Sequence, residues 1–155
     1  MTPAINILEL NKTEHRVHSY EHDPSAESYG LEAADNMDID AARIFKTLLV
    51  ELNTGELAVA LVPVLKQLNL KSIAKSAGAK KASMAKPDKV TRSTGYVLGG
   101  DSPLGQKKRL ATIIDDSAQQ YDTIFVSGGR RGLEIELDPQ SLSALTNGRF
   151  AAISQ

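Results

Sequence analysis

The chain has 155 residues, of which 41% are hydrophobic and 24% charged, a formal net charge of −1 and no cysteine. That length suffices for one domain over residues 1–155 with a core of its own and argues against two, while the missing cysteines exclude disulfides, thiolate nucleophiles and cysteine-bound metals. Apolar runs such as LAVALVPV at 57–64 fall far short of the roughly 20 residues that cross a bilayer, and the N-terminus lacks a basic segment followed by an apolar one, so the chain is expected to stay in the cytoplasm.

Thr2-Pro3 is a cap followed by a first-turn proline, and it opens a short helix carrying Ile5 and Leu8. HRVHSY at 15–20 alternates as a strand and ends near Tyr20 at the turn-rich EHDPS. A second helix is expected over about 28–37, and Asp40 starts a further helical turn. FKTLLVEL (45–52) and LAVALV (57–62) read as two strands of a hairpin, joined through Asn53-Thr54-Gly55. Leu68, Leu70, Ile73, Ala74 and Ala77 recur at helical intervals from 66 to about 77, with Gly78 as the stop. Short strands are expected at 95–98, 110–114, 123–127 and 133–137, the last reading LEIEL in strict alternation. Asp138-Pro139 repeats the cap-plus-proline signal for a final helix that Gly148 closes. Strands outnumber helices without alternating with them, so the expected class is α+β, with a mixed, curved, barrel-like sheet surrounded by helices.

The charge is segregated. Residues 66–109 hold eleven Lys and Arg against Asp88 and Asp101, a surplus of +9, which leaves −10 for the remainder. Such a block is the footprint of a phosphate-bearing partner, or else a solvated lysine-rich face.

Two glycine loops stand out, LGGDSPLGQKKR at 98–109 and VSGGRRG at 126–132. The first has glycines at P-loop spacing, Gly100 and Gly105, but Gln106 stands where the phosphate-binding lysine belongs and Pro103 removes a backbone donor, so a nucleotide hydrolase is rejected. Each loop alone reads most simply as a tight turn. Facing one another across a cleft, the pair would supply backbone N–H donors to a carbonyl oxygen. His15, His18 and His22 do not have metal-site spacing, and no serine sits in a G-x-S-x-G elbow. Lys46, in an apolar strand, either extends its stem to the strand edge or points into a polar pocket.

Taken in order, YEHDP (20–24), RIFKTLLV (43–50), KSIAKSAGAKKASMA (71–85), RSTGYVLGGDSPLGQKKRL (92–110) and TIFVSGGRRGLEIEL (123–137) resemble the bacterial YbaK/EbsC family, and closely its Cys-tRNA(Pro) deacylase branch. The resemblance implies a barrel-like mixed sheet and a trans-editing enzyme that cleaves the ester of Cys-tRNA(Pro), and also of Cys-tRNA(Cys). Its mechanism would have the substrate's own thiol attack the ester, with no cofactor and no metal. By matching motif, it implies that Lys46 with Gly99 and Gly100 carries the reaction. It assigns substrate contacts to Tyr20, Tyr29, Thr47, Ser102, Pro103, Ser127, Gly128 and Glu134. Glu134 stands where close relatives have Asp, and Tyr29 where they have Phe. Lys71, Lys75, Lys80, Lys81, Lys107, Lys108 and Arg109 become tRNA-backbone contacts, and prolyl-tRNA synthetase a transient partner. Two other readings remain beside this one: a neighbouring branch acting on Ala-tRNA(Pro), and a non-catalytic module that binds tRNA or synthetase.

Overall fold

The structure is a computed structural model and describes residues 1–26, 28–97 and 99–155. Helix α1 (Pro3–Leu10) begins where the sequence signals it: the Thr2 hydroxyl accepts from the Ile5 amide at 3.4 Å, and Ala4, Ile5 and Leu8 turn inward. The extended segment after it forms β1 (Arg16–Ser19), and α2 (Tyr29–Met37) follows, capped by Ser28 and ended by Asp38 in the left-handed region at φ 53°. Asp40 caps a single 3₁₀ turn, Ala41–Arg43, which delivers the chain into β2 (Phe45–Leu52). The Asn53-Thr54-Gly55 hairpin is present. Gly55 sits at φ +90°, where only glycine is unstrained, and β3 (Leu57–Pro63) returns in register with Phe45 opposite Pro63 and Glu51 opposite Leu57.

Helix α3 (Leu70–Ser76) is shorter than the expected 66–77 because Asn69 caps it, accepting from the Ser72 amide. Residues 67 and 68 instead pair with the chain end, through Gln67 to Gln155 and Leu68 to Ser154. Two elements have weak local signals: β4 (Ala82–Met84), and α4 (Pro87–Thr94), whose N-cap Lys86 has no side-chain capping bond. The strand expected at 95–98 is absent over residues 95–97. Gly95 there ends α4 in the left-handed region and Tyr96 drives its ring into the interior, while Leu98 lies outside the described residues. β5 (Ala111–Asp115), a 3₁₀ turn at Asp116–Gln120, β6 (Ile124–Ser127), β7 (Leu133–Leu137), α5 (Pro139–Thr146) and β8 (Arg149–Ala151) complete the chain. α5 stops at Asn147, which takes the left-handed conformation one residue before the expected Gly148.

The α+β class stands, but the sheet does not close into a barrel. Five strands run in the order β4-β2-β3-β5-β8 and three in the order β1-β7-β6, and among the described residues an isolated parallel bridge from Ile44 to Phe125 pairs the backbone of one sheet's side with the other. β3 lies between β2 and β5, with both faces covered. It is buried almost throughout, which is why its sequence is a continuous apolar run rather than an alternation. One face of the larger sheet, through Phe45 and Leu61, joins Val126, Leu133 and Ile135 of the smaller sheet in the main core, with α1 and α5 outside them. The opposite face, through Val50, Ala60 and Val62, is covered by Ile73 and Ala74 of α3. α2 lies over the seam, where Ala33 and Ala34 meet Ile44 and Phe125.

Candidate active site

A cavity of about 270 Å³ opens at this seam, lined among others by Tyr20, Tyr29, Thr47, Gly99, Ser127 and Glu134. These six are residues the sequence singled out, and each comes from a different element or loop, brought together across more than a hundred positions. The two glycine loops do meet. The Ser127 hydroxyl donates to the Gly100 carbonyl at 3.2 Å, and a Cβ on Gly100 would come within 2.9 Å of the Arg130 backbone.

Four glycine amides of those loops are already committed within the protein. Gly100 donates to Val97 O, Gly128 to Leu133 O, Gly129 to the Ser127 hydroxyl, and Gly99 to the Asp101 carboxylate. Among the described residues, two side-chain polar atoms of residues lining the cavity are buried without a partner, Thr47 Oγ1 and Glu134 Oε2. Burial alone raises the Glu134 carboxyl to about 8, so it is mostly protonated at neutral pH. Burial raises Asp101 to about 6 against the opposing bonds from Thr94 and Gly99, and raises the Tyr20 phenol to about 12, with Glu134 and Glu32 adding to the effect.

The remaining candidates sit differently. Lys46 is half-buried, and desolvation holds its ammonium below its ordinary value. Adjacent strand residues point to opposite faces, so Lys46 shares the face of its register partner Val62 rather than that of Thr47. Leu48, on the same face and about 7 Å further along the strand, does border the cavity. Gly128 lies behind the wall, its Cβ position filled by Leu133. Ser102 is fully buried and accepts from the Leu104 amide, and Pro103 borders a separate cavity with Ile7 and Leu145. Both are buried within the loop.

Two residues that the sequence did not single out line the cavity, Arg130 and Arg131, both exposed. The Arg131 guanidinium carbon lies 4.0 Å from the centroid of the Tyr29 ring. A Cβ on Gly99 would approach that guanidinium to 2.6 Å, and Gly99 has φ +88°, so the glycine is required twice over. The signal was present as the RR within SGGRRG, but consecutive exposed arginines after glycine are ordinary surface sequence until the fold sets them on an aromatic ring.

Of the cationic block, Lys71, Lys75, Lys80, Lys81, Lys107, Lys108 and Arg109 are all exposed. Lys108 and Arg109, with Lys89 and Arg92, border a cavity of about 540 Å³ beside Gly55 and Leu57, at the opposite end of the β2–β3 hairpin from Thr47. Among the described residues no group of three His, Asp or Glu could hold a metal ion, and no helix is long and apolar enough to cross a membrane.

Residues 23–145 match the aminoacyl-tRNA editing domain. The chain belongs to the aminoacyl-tRNA editing domain family. A relative from Enterococcus faecalis, named "Putative Cys-tRNA(Pro)/Cys-tRNA(Cys) deacylase EbsC", is 40% identical over 99% of this chain and 93% of its own. "Uncharacterized protein YwhH" of Bacillus subtilis is 28% identical over 72% of this chain and 71% of its own. Among solved structures, "Crystal structure of a putative trans-editing enzyme for prolyl tRNA synthetase" superposes with a TM-score of 0.84 at 23% identity, over 100% of this chain and 98% of that one. "Crystal structure of hypothetical protein APE2540" superposes with 0.88 at 24% identity, over 99% and 100% respectively. The fold is thus that of these two solved structures.

Proposed function

We propose that the protein is an aminoacyl-tRNA deacylase that removes cysteine from Cys-tRNA(Pro), and from Cys-tRNA(Cys), with prolyl-tRNA synthetase as a transient partner in the cytoplasm. The observation that carries the reading is the seam cavity, walled by tyrosines and ending in two uncommitted buried polar atoms, in a chain of the editing-domain family. Buried polar atoms without partners cost stability unless a ligand completes them, and this favours a polar acyl group as occupant.

None of the three histidines lines the cavity, and His22, packed against the Tyr29 ring at 5.5 Å between centroids, stands behind that wall rather than in it, so no imidazole base is among the lining residues. A thiol carried by the substrate removes that need. Intramolecular attack on the ester carbonyl, in a pocket that holds the chain bent, draws on an effective concentration worth about 7–11 kcal/mol. The thiol sulfur bonds to the carbonyl carbon, its proton leaves, and the ribose oxygen departs with the bonding pair and is protonated, giving a thiolactone and free tRNA. Within this reading the Thr47 hydroxyl donates to the carbonyl oxygen and Glu134 meets the α-amino group. Lys46 approaches over the Leu48 rim. Cysteine and proline are close in size, which a first hydrophobic sieve separates only about 10–200-fold, so a second site earns its place.

The test is release of amino acid from Cys-tRNA(Pro), Ala-tRNA(Pro) and Ser-tRNA. Rapid release from the first alone supports the proposal. Preference for alanine moves the protein to the neighbouring branch, efficient release of serine argues for an attacking water, and inertness toward all three leaves a binding module.

A further inference from the structure

We propose that Arg131 is a substrate-binding residue that grips the phosphodiester on the 5′ side of the tRNA's terminal adenosine, with Tyr29 and Gly99 as its mount. The proposal rests on the deacylase reading and adds to it an anchoring group for the part of the substrate that does not react.

The cavity is polarised. Its acids, Asp101 and Glu134, are buried, whereas its arginines, Arg130 and Arg131, are exposed at the mouth. An aminoacyl ester has a matching polarity. Its amino group, the basic end, belongs inside with the carboxyls. The ester itself is neutral, and the nearest anion is the phosphate one ribose away, which must then lie at the mouth. A guanidinium presents a planar fork of donors that fits two phosphate oxygens together, a geometry that lysine lacks.

Arg131 is also held in place before any ligand arrives. Its guanidinium lies over Tyr29, itself a wall of the cavity, and the two together crowd the space that a side chain at Gly99 would occupy. A surface arginine ordinarily gives up conformational freedom on binding, and one already fixed over an aromatic ring loses less. The arrangement also links the two ends of the substrate. The ring that shapes the pocket for the acyl group is the ring that supports the phosphate anchor, so an ester bound with its phosphate seated is held in depth as well as direction.

The experiment compares two small substrates on the intact protein, 3′-O-cysteinyl-adenosine and the same ester bearing a 5′-phosphate, and measures inhibition by adenosine and by adenosine 5′-monophosphate. A charged contact of this kind is worth roughly 10–100-fold in binding. The wild type is expected to favour the phosphorylated ester by about that factor in kcat/KM, chiefly through KM. Arg131→Ala and Arg131→Gln are expected to bring the preference to within about threefold, and Arg131→Lys to retain part of it. A purely structural arginine would instead lower turnover of both esters alike and leave the preference intact, which would overturn the proposal. Wild-type indifference to the phosphate would overturn it without any variant. A wild type that cleaves neither ester but is bound more tightly by the monophosphate than by adenosine, with the difference abolished in Arg131→Gln, would sink the deacylase reading and leave the phosphate site standing.

Discussion

Glu134 shows how a single side chain trades stability for a site. Its folded pKa of about 8 stands above the ordinary 4.5, so the folded state holds this proton more tightly than the unfolded chain. The stability linked to it is complete below about pH 4.5 and is lost as pH rises through about 8. Glu134→Gln, which keeps the shape and does not titrate, should match the wild type at pH 4 and exceed it at pH 9 by up to about 5 kcal/mol, read from denaturant midpoints across that range. Asp101 and Tyr20 titrate near the same cavity and remain in both proteins, so the difference isolates Glu134. Thr47 makes the same trade without charge. Its buried, unpartnered hydroxyl predicts that Thr47→Val folds with unchanged or higher stability, by up to about 1 kcal/mol, while deacylation slows at least roughly tenfold because the carbonyl oxygen has no hydroxyl donor. Melting curves and kcat/KM on one preparation check both halves. From sequence alone Thr47 was visible only beside Lys46 in FKTL; that the two occupy opposite faces of the strand follows from the pleat, and which face meets the cavity follows only from where the second sheet lies.

At the scale of elements, α2 is a wall seated by close contact. Gly30 sits in its first turn, and a Cβ there would lie 2.2 Å from Val64 Cγ1, so Gly30→Ala must push the helix off β3's end. Overpacking of this sort costs about 1–3 kcal/mol, and the shift carries Tyr29 away from the cavity. The expected result is a lowered urea midpoint together with a kcat/KM loss larger than the stability change explains at a temperature where the variant is fully folded. Elements with a strong local code were legible in the sequence: the Asn-Thr-Gly hairpin, the helices α1 and α5, which join an opening proline to a capping side chain, and the alternating β7. The elements missed were those held by neighbours. β4 and β8 are three residues each and exist by pairing with β2 and β5. α4 starts at an uncapped lysine and is anchored by Val90 against Leu49 and Val59. That the barrel-like sheet stays open, as two sheets of five and three strands, is likewise outside the local code, since strand count carries no information on whether the outer edges meet.

For the whole molecule the division of charge becomes a division of labour. The acidic part supplies most of the seam, with the buried Glu134, while the basic block supplies the exposed lysines and the cationic groove at the far end of the hairpin and lends the seam Gly99 and Asp101. Tight binding of acylated tRNA should therefore fall steeply with salt. Replacing Lys107 and Lys108 together by Glu should weaken it at low salt and flatten the plot of log affinity against log salt by about 0.7–0.9 for each phosphate that is no longer neutralised, as filter binding over a KCl series would show. An unchanged slope would place the RNA elsewhere. Because the cavity's walls belong to two sheets joined by the Ile44–Phe125 bridge and the packing around it, the gap from Thr47 to Glu134 is set by the angle at which one sheet leans on the other. Amino-acid choice in this fold can therefore drift through changes such as Phe125→Leu that touch no substrate, and lineages with identical cavity residues can still differ in what they admit.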